Sequence, residues 1–251
     1  MRAVAGPGRW VWVLSGLVTA AVLVLPGARL ITLHYGPVNA SAEPQAVTIR
    51  AAIVPQPVTS LTVQSDGGQV QVTAGQVSRV QLTETIMSDH QGDAPPAVAE
   101  SVSGGRLSLP DPCANANCSV NFSLTVPFGV TVSVATQGGP VAVSGVAGAN
   151  LDTGGGPASA TLIGGPLTVT TGGGAAMVTF AAAPRSVSVS TDGGAAVVAV
   201  PGGPYAVTAD SNGGPQSVAI ATDPAAYALI TVTSGGGPLR IEPAPVTAGP
   251  S

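Results

Sequence analysis

Val187-Ser188-Val189-Ser190-Thr191-Asp192-Gly193-Gly194-Ala195-Ala196-Val197-Val198 is one of six copies of a pattern that runs from Val132 to Ile241. Each copy is an alternating apolar–polar run, a Thr/Ser-x-Gly-Gly turn and a second alternating run. The turns start at Thr136, Thr153, Thr171, Thr191, Ser211 and Ser234. Their glycine pairs are Gly138 and Gly139, Gly155 and Gly156, Gly173 and Gly174, Gly193 and Gly194, Gly213 and Gly214, and Gly236 and Gly237. The second glycines are spaced by 17, 18, 20, 20 and 23 residues. A period of that length marks a stacked repeat, in which no unit buries its apolar face alone.

Aligned on the turn, the copies form columns. Four residues before the Thr/Ser stand Val132, Ala149, Leu167, Val187, Val207 and Ile230, and two before it Val134, Leu151, Val169, Val189, Ala209 and Val232. The position between them is always Ser, Thr or Asn, which gives the period of two of a half-buried strand. Four residues past the second glycine come Val143, Ala160, Val178, Val198, Val218 and Ile241. Gly-Gly is expected to supply the positive φ of a tight reversal. In four copies Pro140, Pro157, Pro215 or Pro238 follows, a residue tolerated at the start of a strand and not inside a ladder. Successive hairpins would give an antiparallel meander. A column that keeps its residue type fits parallel stacking better, with equivalent residues about 4.8 Å apart.

The fold class expected is therefore all-β: a flattened parallel β-solenoid of Thr/Ser-x-Gly-Gly repeats with two strands per coil. Ala and Val fill its inward columns and aromatics are only 3% of the chain, so the interior is thin. Phe180 is expected to plug one wider coil, with Met177 the other bulky residue nearby. Tyr205 and Tyr227 fall in the turn opposite the glycines and form the candidate binding face.

Charged residues are 8% of the chain, and all eight basic residues are Arg. From residue 43 onward there are five Arg against twelve Asp and Glu, a formal charge of −7. Little is left to neutralise phosphates, which excludes nucleic acid as a partner. Residues 10–28 carry no charge, and as a helix would span roughly 28 Å, the thickness of a bilayer core. Trp10 and Trp12 sit at one end, and Arg2 and Arg9 before the run place the N-terminus inside. The segment is expected to be a signal anchor. The alternative is a cleaved signal peptide with its site at Ala40-Ser41-Ala42. Either way the repeat is exported, and the localisation expected is single-pass in the plasma membrane with the C-terminal part extracytoplasmic.

Cys113 and Cys118, in Asp-Pro-Cys-Ala-Asn-Ala-Asn-Cys, read as a disulfide closing a polar loop in an oxidising compartment. So short a loop gains about 2 kcal/mol in the chain-entropy picture. A zinc site would need two further ligands, and His34 and His90 are the only histidines.

In order, the chain divides into a cytoplasmic tail (1–9), a transmembrane helix (10–28), a tether (29–45), a capping β layer with the cysteine loop (46–131), the β-solenoid (132–242) and a disordered tail (243–251). Strand pattern begins with Val47, Ile49 and Ala51. A seventh turn, Ser65-Asp66-Gly67-Gly68, stands apart from the others, with Leu61 and Val63 before it and Val70 and Val72 after it. Val80, Leu82 and Ile86 suggest a long strand. Val120, Phe122, Leu124 and Val126 alternate cleanly, and Pro127-Phe128-Gly129 leads into the regular coils.

The run Val126-Pro127-Phe128-Gly129-Val130-Thr131-Val132, followed by these turns, resembles the bacterial putative adhesin family, also called domain of unknown function 4097 and built of β-strand repeats. The resemblance covers roughly residues 46–242. It implies an exported or membrane-tethered bacterial β-solenoid, some members lying beside envelope-stress genes, and it brings no catalytic residues. The all-Arg, Ala/Gly/Pro/Val-rich usage resembles that of high-GC actinobacteria.

No cofactor is expected. A glycosidase needs two carboxylates about 5–9.5 Å apart. Asp192 and Asp210 would approach that window in neighbouring coils, but both flank turns, where Asp is a turn former. Calcium-binding rolls carry an Asp in every turn. Here the comparable positions hold Gln137, Gly154, Gly172, Asp192, Asn212 and Gly235. The triple-glycine turns lack the Lys-Ser/Thr of a phosphate loop. The chain is expected not to be an enzyme. Its expected function is adhesin-like binding of an envelope glycan or protein through outward Ser and Thr columns. The alternatives are a structural spacer or envelope-stress accessory without its own ligand and, last, a carbohydrate-active β-helix enzyme.

Overall fold

The computed structural model describes residues 46–88, 100–114 and 116–245. The expected cytoplasmic tail, transmembrane segment and tether lie outside these residues, as does most of the C-terminal tail. The fold is all-β, with parallel strands in two sheets that do not close into a barrel.

The first seven strands are β1 (Ala46–Ile53), β2 (Ser60–Ser65), β3 (Val70–Gly75), β4 (Gln81–Ser88), β5 (Ser101–Ser103), β6 (Arg106–Leu109) and β7 (Cys118–Pro127). The regular copies follow as β8 (Thr131–Thr136) with β9 (Val141–Ser144), β10 (Gly148–Thr153) with β11 (Ala158–Thr161), β12 (Leu167–Thr171) with β13 (Ala176–Thr179), and β14 (Ser186–Thr191) with β15 (Ala196–Val200). The last two are β16 (Ala206–Asp210) with β17 (Gln216–Val218) and β18 (Leu229–Ser234) with β19 (Leu239–Pro243).

Each turn carries the chain from one sheet to the other. Strands after the turns lie in sheet one, ordered β1-β4-β7-β3-β9-β11-β13-β15-β19-β17. Strands before the turns lie in sheet two, ordered β16-β18-β14-β12-β10-β8-β2-β6-β5. The copies stack in register: Val132, Ala149, Leu167, Val187, Ile230 and Val207 are successive Cα partners across sheet two. The inward columns of both sheets meet in one core, buried at every rung but the last. Phe180 is fully buried, as expected, whereas Met177 is exposed on the outer face.

Four features differ from the expectation. First, the turn at Ser65 is not apart from the ladder in space, since β2 pairs in parallel with β8 and β3 with β9. Second, β1 is turned over. Val47, Ile49 and Ile53 face outward at 38%, 40% and 55% exposure, because the register of β1 on β4 points Ala46, Thr48, Arg50 and Ala52 inward. Third, the last two copies exchange places. β18 pairs with β14 and then with β16, so the final copy in sequence fills the slot between its two predecessors. Asp192 and Asp210 are therefore two rungs apart rather than in neighbouring coils.

Fourth, the second glycine of each turn is not there for positive φ. That conformation occurs at the first glycine of four turns, Gly173, Gly193, Gly213 and Gly236. The second glycine is required by close approach. A Cβ on Gly139 would stand 1.9 Å from the carbonyl oxygen of Gly68, one on Gly156 2.2 Å from that of Gly139, and one on Gly174 2.1 Å from that of Gly156. Each carbonyl points along the stack at the next glycine's Cα, an arrangement that suits Cα–H···O contacts and leaves no room for a side chain.

The Thr/Ser of the motif is equally specific. Thr136, Thr153, Thr171, Thr191, Ser211 and Ser234 are all buried, and each hydroxyl donates to the carbonyl of the glycine three residues on, at 2.5–2.9 Å. A buried hydroxyl so paired contributes about 1 kcal/mol, and an orphaned one would cost more. The recurring hydroxyl thus closes the turn from inside the core.

Candidate binding site at the unfinished rung

The two ends of the stack are finished differently. At the end nearest β2, each turn N–H needs an acceptor from a preceding rung, as Gly154 takes Thr136 O and Gly172 takes Thr153 O. β6, the strand beyond β2, ends at Leu109 and brings no such turn beneath the Asp66 N–H. The Asp111 carboxylate accepts it at 2.5 Å, and its other oxygen accepts the Cys113 N–H at 2.7 Å. The Cys113–Cys118 disulfide closes this loop, as expected, and β4 runs antiparallel to β7 with β1 outside it. The cysteine loop thus caps the ladder of turn N–H groups.

At the other end, among the described residues, nothing comparable covers β16 and β17. Val207 and Ala209 occupy columns that are buried in every other copy, yet both are only half-buried, and Val218 is 37% exposed. The inner faces of the two strands open into a cleft of about 580 Å³, lined mainly by Val207, Ala209, Val218, Thr222, Pro224 and Leu229. No strand lies beyond β16 or β17 among the described residues. Thr222 makes a parallel bridge to Tyr205, and Tyr205 N–H donates to Ala221 O, so the loop before β18 starts a further rung. It then turns away at Asp223, and the outer edge of β16 from Val207 onward has no partner strand among the described residues.

The expected binding face divides. Tyr227 is fully exposed, but Tyr205 is 1% exposed and donates its hydroxyl to Pro201 O at 2.8 Å. Burial raises the Tyr205 hydroxyl pKa. Tyr205 is a core residue of the last rung, because its ring closes the turn that leads into β16, and it cannot form a binding face with Tyr227.

Sequence reasoning passed over Glu84. It sits in the inward column of β4 between Leu82 and Ile86, 3% exposed, with Oε1 buried and unpaired. Its pKa is raised to about 7, chiefly by burial and then by Glu100, against a smaller pull from Arg50 opposite it on β1. Among the described residues, no three His, Cys, Asp or Glu side chains group so as to hold a metal ion. The weak signal for the unfinished rung was Ala209, the smallest residue in its column, with the longest repeat spacing directly after it.

Fold and site together define an all-β protein of stacked parallel copies, capped at one end and open at the other. No model of a known protein family matches the chain, and no curated protein does. Among solved structures it is similar to one described as a putative cell adhesion protein from Clostridium sporogenes, at 12% identity and a TM-score of 0.49, over 78% of this chain and 99% of that one. It is also similar to a putative adhesin from Bacteroides fragilis, at 13% identity and a TM-score of 0.45, over 78% and 96% of the two chains. A third, described as a putative lipid binding protein from Parabacteroides distasonis, matches at 12% identity and a TM-score of 0.33, over 77% and 96%. Likeness at this level is one of backbone outline and transfers no ligand.

Proposed function

We propose that the chain is a membrane-anchored, extracytoplasmic parallel β-solenoid that binds an envelope glycan or protein in the manner of an adhesin, without catalysis of its own. The observation that carries this reading is the placement of the open rung. β1, which follows the apolar segment in sequence, and β17 are the two outermost strands of a ten-stranded sheet. At about 4.8 Å per strand they lie roughly 40 Å apart. An N-terminal anchor would therefore hold the capped end near the bilayer and present the open end away from it. Unpaired edges beside a partly exposed apolar cleft are the features of a surface that takes a partner.

The spacer reading is favoured by the outer face of sheet two, where Thr168, Thr170, Ser188, Ser190 and Thr233 form a small, uncharged, exposed array. The full chain in liposomes, incubated with isolated envelope sacculi and envelope protein fractions, separates the two. Saturable co-sedimentation is expected. Its absence with a folded chain would overturn the adhesin reading and leave the spacer.

A further inference from the structure

Resting on that reading, we propose that the open rung binds an extended polypeptide segment, which adds in parallel to the outer edge of β16 as the next strand of sheet two. The ladder itself specifies the occupant. From β2 through β18 to β16, each strand presents one edge to its neighbour in the same register, and β16 presents that edge to no strand among the described residues. Ala206 N–H donates inward, to Ala228 O, while Tyr205 N–H donates outward, to Ala221 O. Alternation along the strand then aims the N–H and C=O groups of Val207 and Ala209 outward.

An acyl chain would cover the apolar wall and leave these backbone groups unpaired, and a sugar could pair them but would not fill the apolar wall. An added strand satisfies both. Its side chains must follow the columns already built: apolar opposite Val207, polar opposite Thr208, apolar opposite Ala209. Thr222 already occupies the place opposite Tyr205, so the segment enters at Val207 and runs along the remaining length of β16. Charge narrows the choice further. Asp210 and Asp223 flank the cleft and, among the described residues, no basic side chain lines it, so the partner segment carries Arg or Lys beside its apolar pair.

The test uses the full chain in detergent and a fluorescent peptide with the sequence of residues 185–191, whose Arg185, Val187 and Val189 meet these requirements. Fluorescence anisotropy is expected to show saturable binding. Ala209→Pro removes one outward N–H and leaves the inward ladder intact, and Val218→Arg puts a charge of the peptide's own sign into the cleft. Each is expected to weaken binding at least about tenfold while circular dichroism stays unchanged. A peptide with Asp in place of both valines is expected not to bind.

No saturable binding, or binding indifferent to both substitutions, would overturn the proposal. So would two other results: concentration-dependent pairing of the full chain that excludes the peptide, making a second copy the occupant, or binding of a fluorescent fatty acid in place of the peptide. If the peptide fails while sacculi or envelope proteins still bind, only this inference falls. If both fail, the adhesin reading falls with it.

Discussion

Gly156→Ala is expected to destabilise the fold by about 3 kcal/mol or more, whereas Gly155→Ala, one residue earlier in the same turn, is expected to be neutral or stabilising by about 0.5 kcal/mol. The contrast follows from what each new methyl would meet. On Gly155 it meets nothing within 4 Å, and that residue is not in the left-handed region. On Gly156 it would lie 2.2 Å from Gly139 O and 2.6 Å from Gly139 C, both backbone atoms of the adjoining rung. No rotamer relieves that overlap, so two rungs must separate and their inward columns part with them. For a β structure of this size the loss corresponds to a fall in Tm of about 10 °C. Thermal unfolding of the two variants measures the difference, and equal effects would mean that the glycine column is not a contact between rungs.

Glu84→Gln is the second large effect, and it depends on pH. Below about pH 4.5 the Glu84 carboxyl is neutral in both the folded and the unfolded chain and costs little. Between 4.5 and about 7 the unfolded chain releases this proton while burial keeps the folded chain protonated, so stability falls as pH rises. Above 7 the full penalty applies, about 3 kcal/mol for a shift of this size. The Gln variant is therefore expected to be more stable than the parent by up to about 3 kcal/mol at pH 8 and nearly equal to it at pH 4.5. Urea unfolding at the two pH values measures this. A gap that does not widen with pH would mean that Glu84 is not held in the core as a carboxylic acid. Nothing in the structure explains why a carboxyl occupies this column.

The period-two columns made the strands of the repeat legible, because a half-buried strand must alternate and Val132 to Ile241 alternates at every turn. Parallel pairing followed from columns that keep their type. The disulfide was legible from two cysteines in a polar loop. Rung order was not, and the physical reason is that the rungs are interchangeable. Ile230-Thr231-Val232 and Val207-Thr208-Ala209 would each sit equally well on Val187-Ser188-Val189, since all present the same apolar–polar–apolar edge. The order is set by the connections around Gly202, Gly203 and Pro224, whose course carries no periodic signal. β1 misled for a related reason: Val47 and Ile49 alternate as buried residues do, and only the register on β4 shows them facing out. Glu84 was passed over and Tyr205 was expected on the surface because a polar residue within an apolar column, and an aromatic within a turn, each read as surface when taken one at a time.

Whether β16 is the end of sheet two decides where the open site lies, and cross-linking tests it directly. Ser190 and Thr233 are register partners on the outer face, as are Asp210 and Thr233, so Ser190 and Asp210 stand two strand spacings apart. At about 9.6 Å, two spacings lie beyond the reach of a disulfide. Under mild oxidation, Ser190→Cys combined with Thr233→Cys is expected to form a second disulfide beside Cys113–Cys118, detectable as a linked peptide in a non-reducing digest. Ser190→Cys combined with Asp210→Cys is expected to stay reduced. The opposite result would put the copies in sequence order, make β18 the outermost strand, and remove the site from β16.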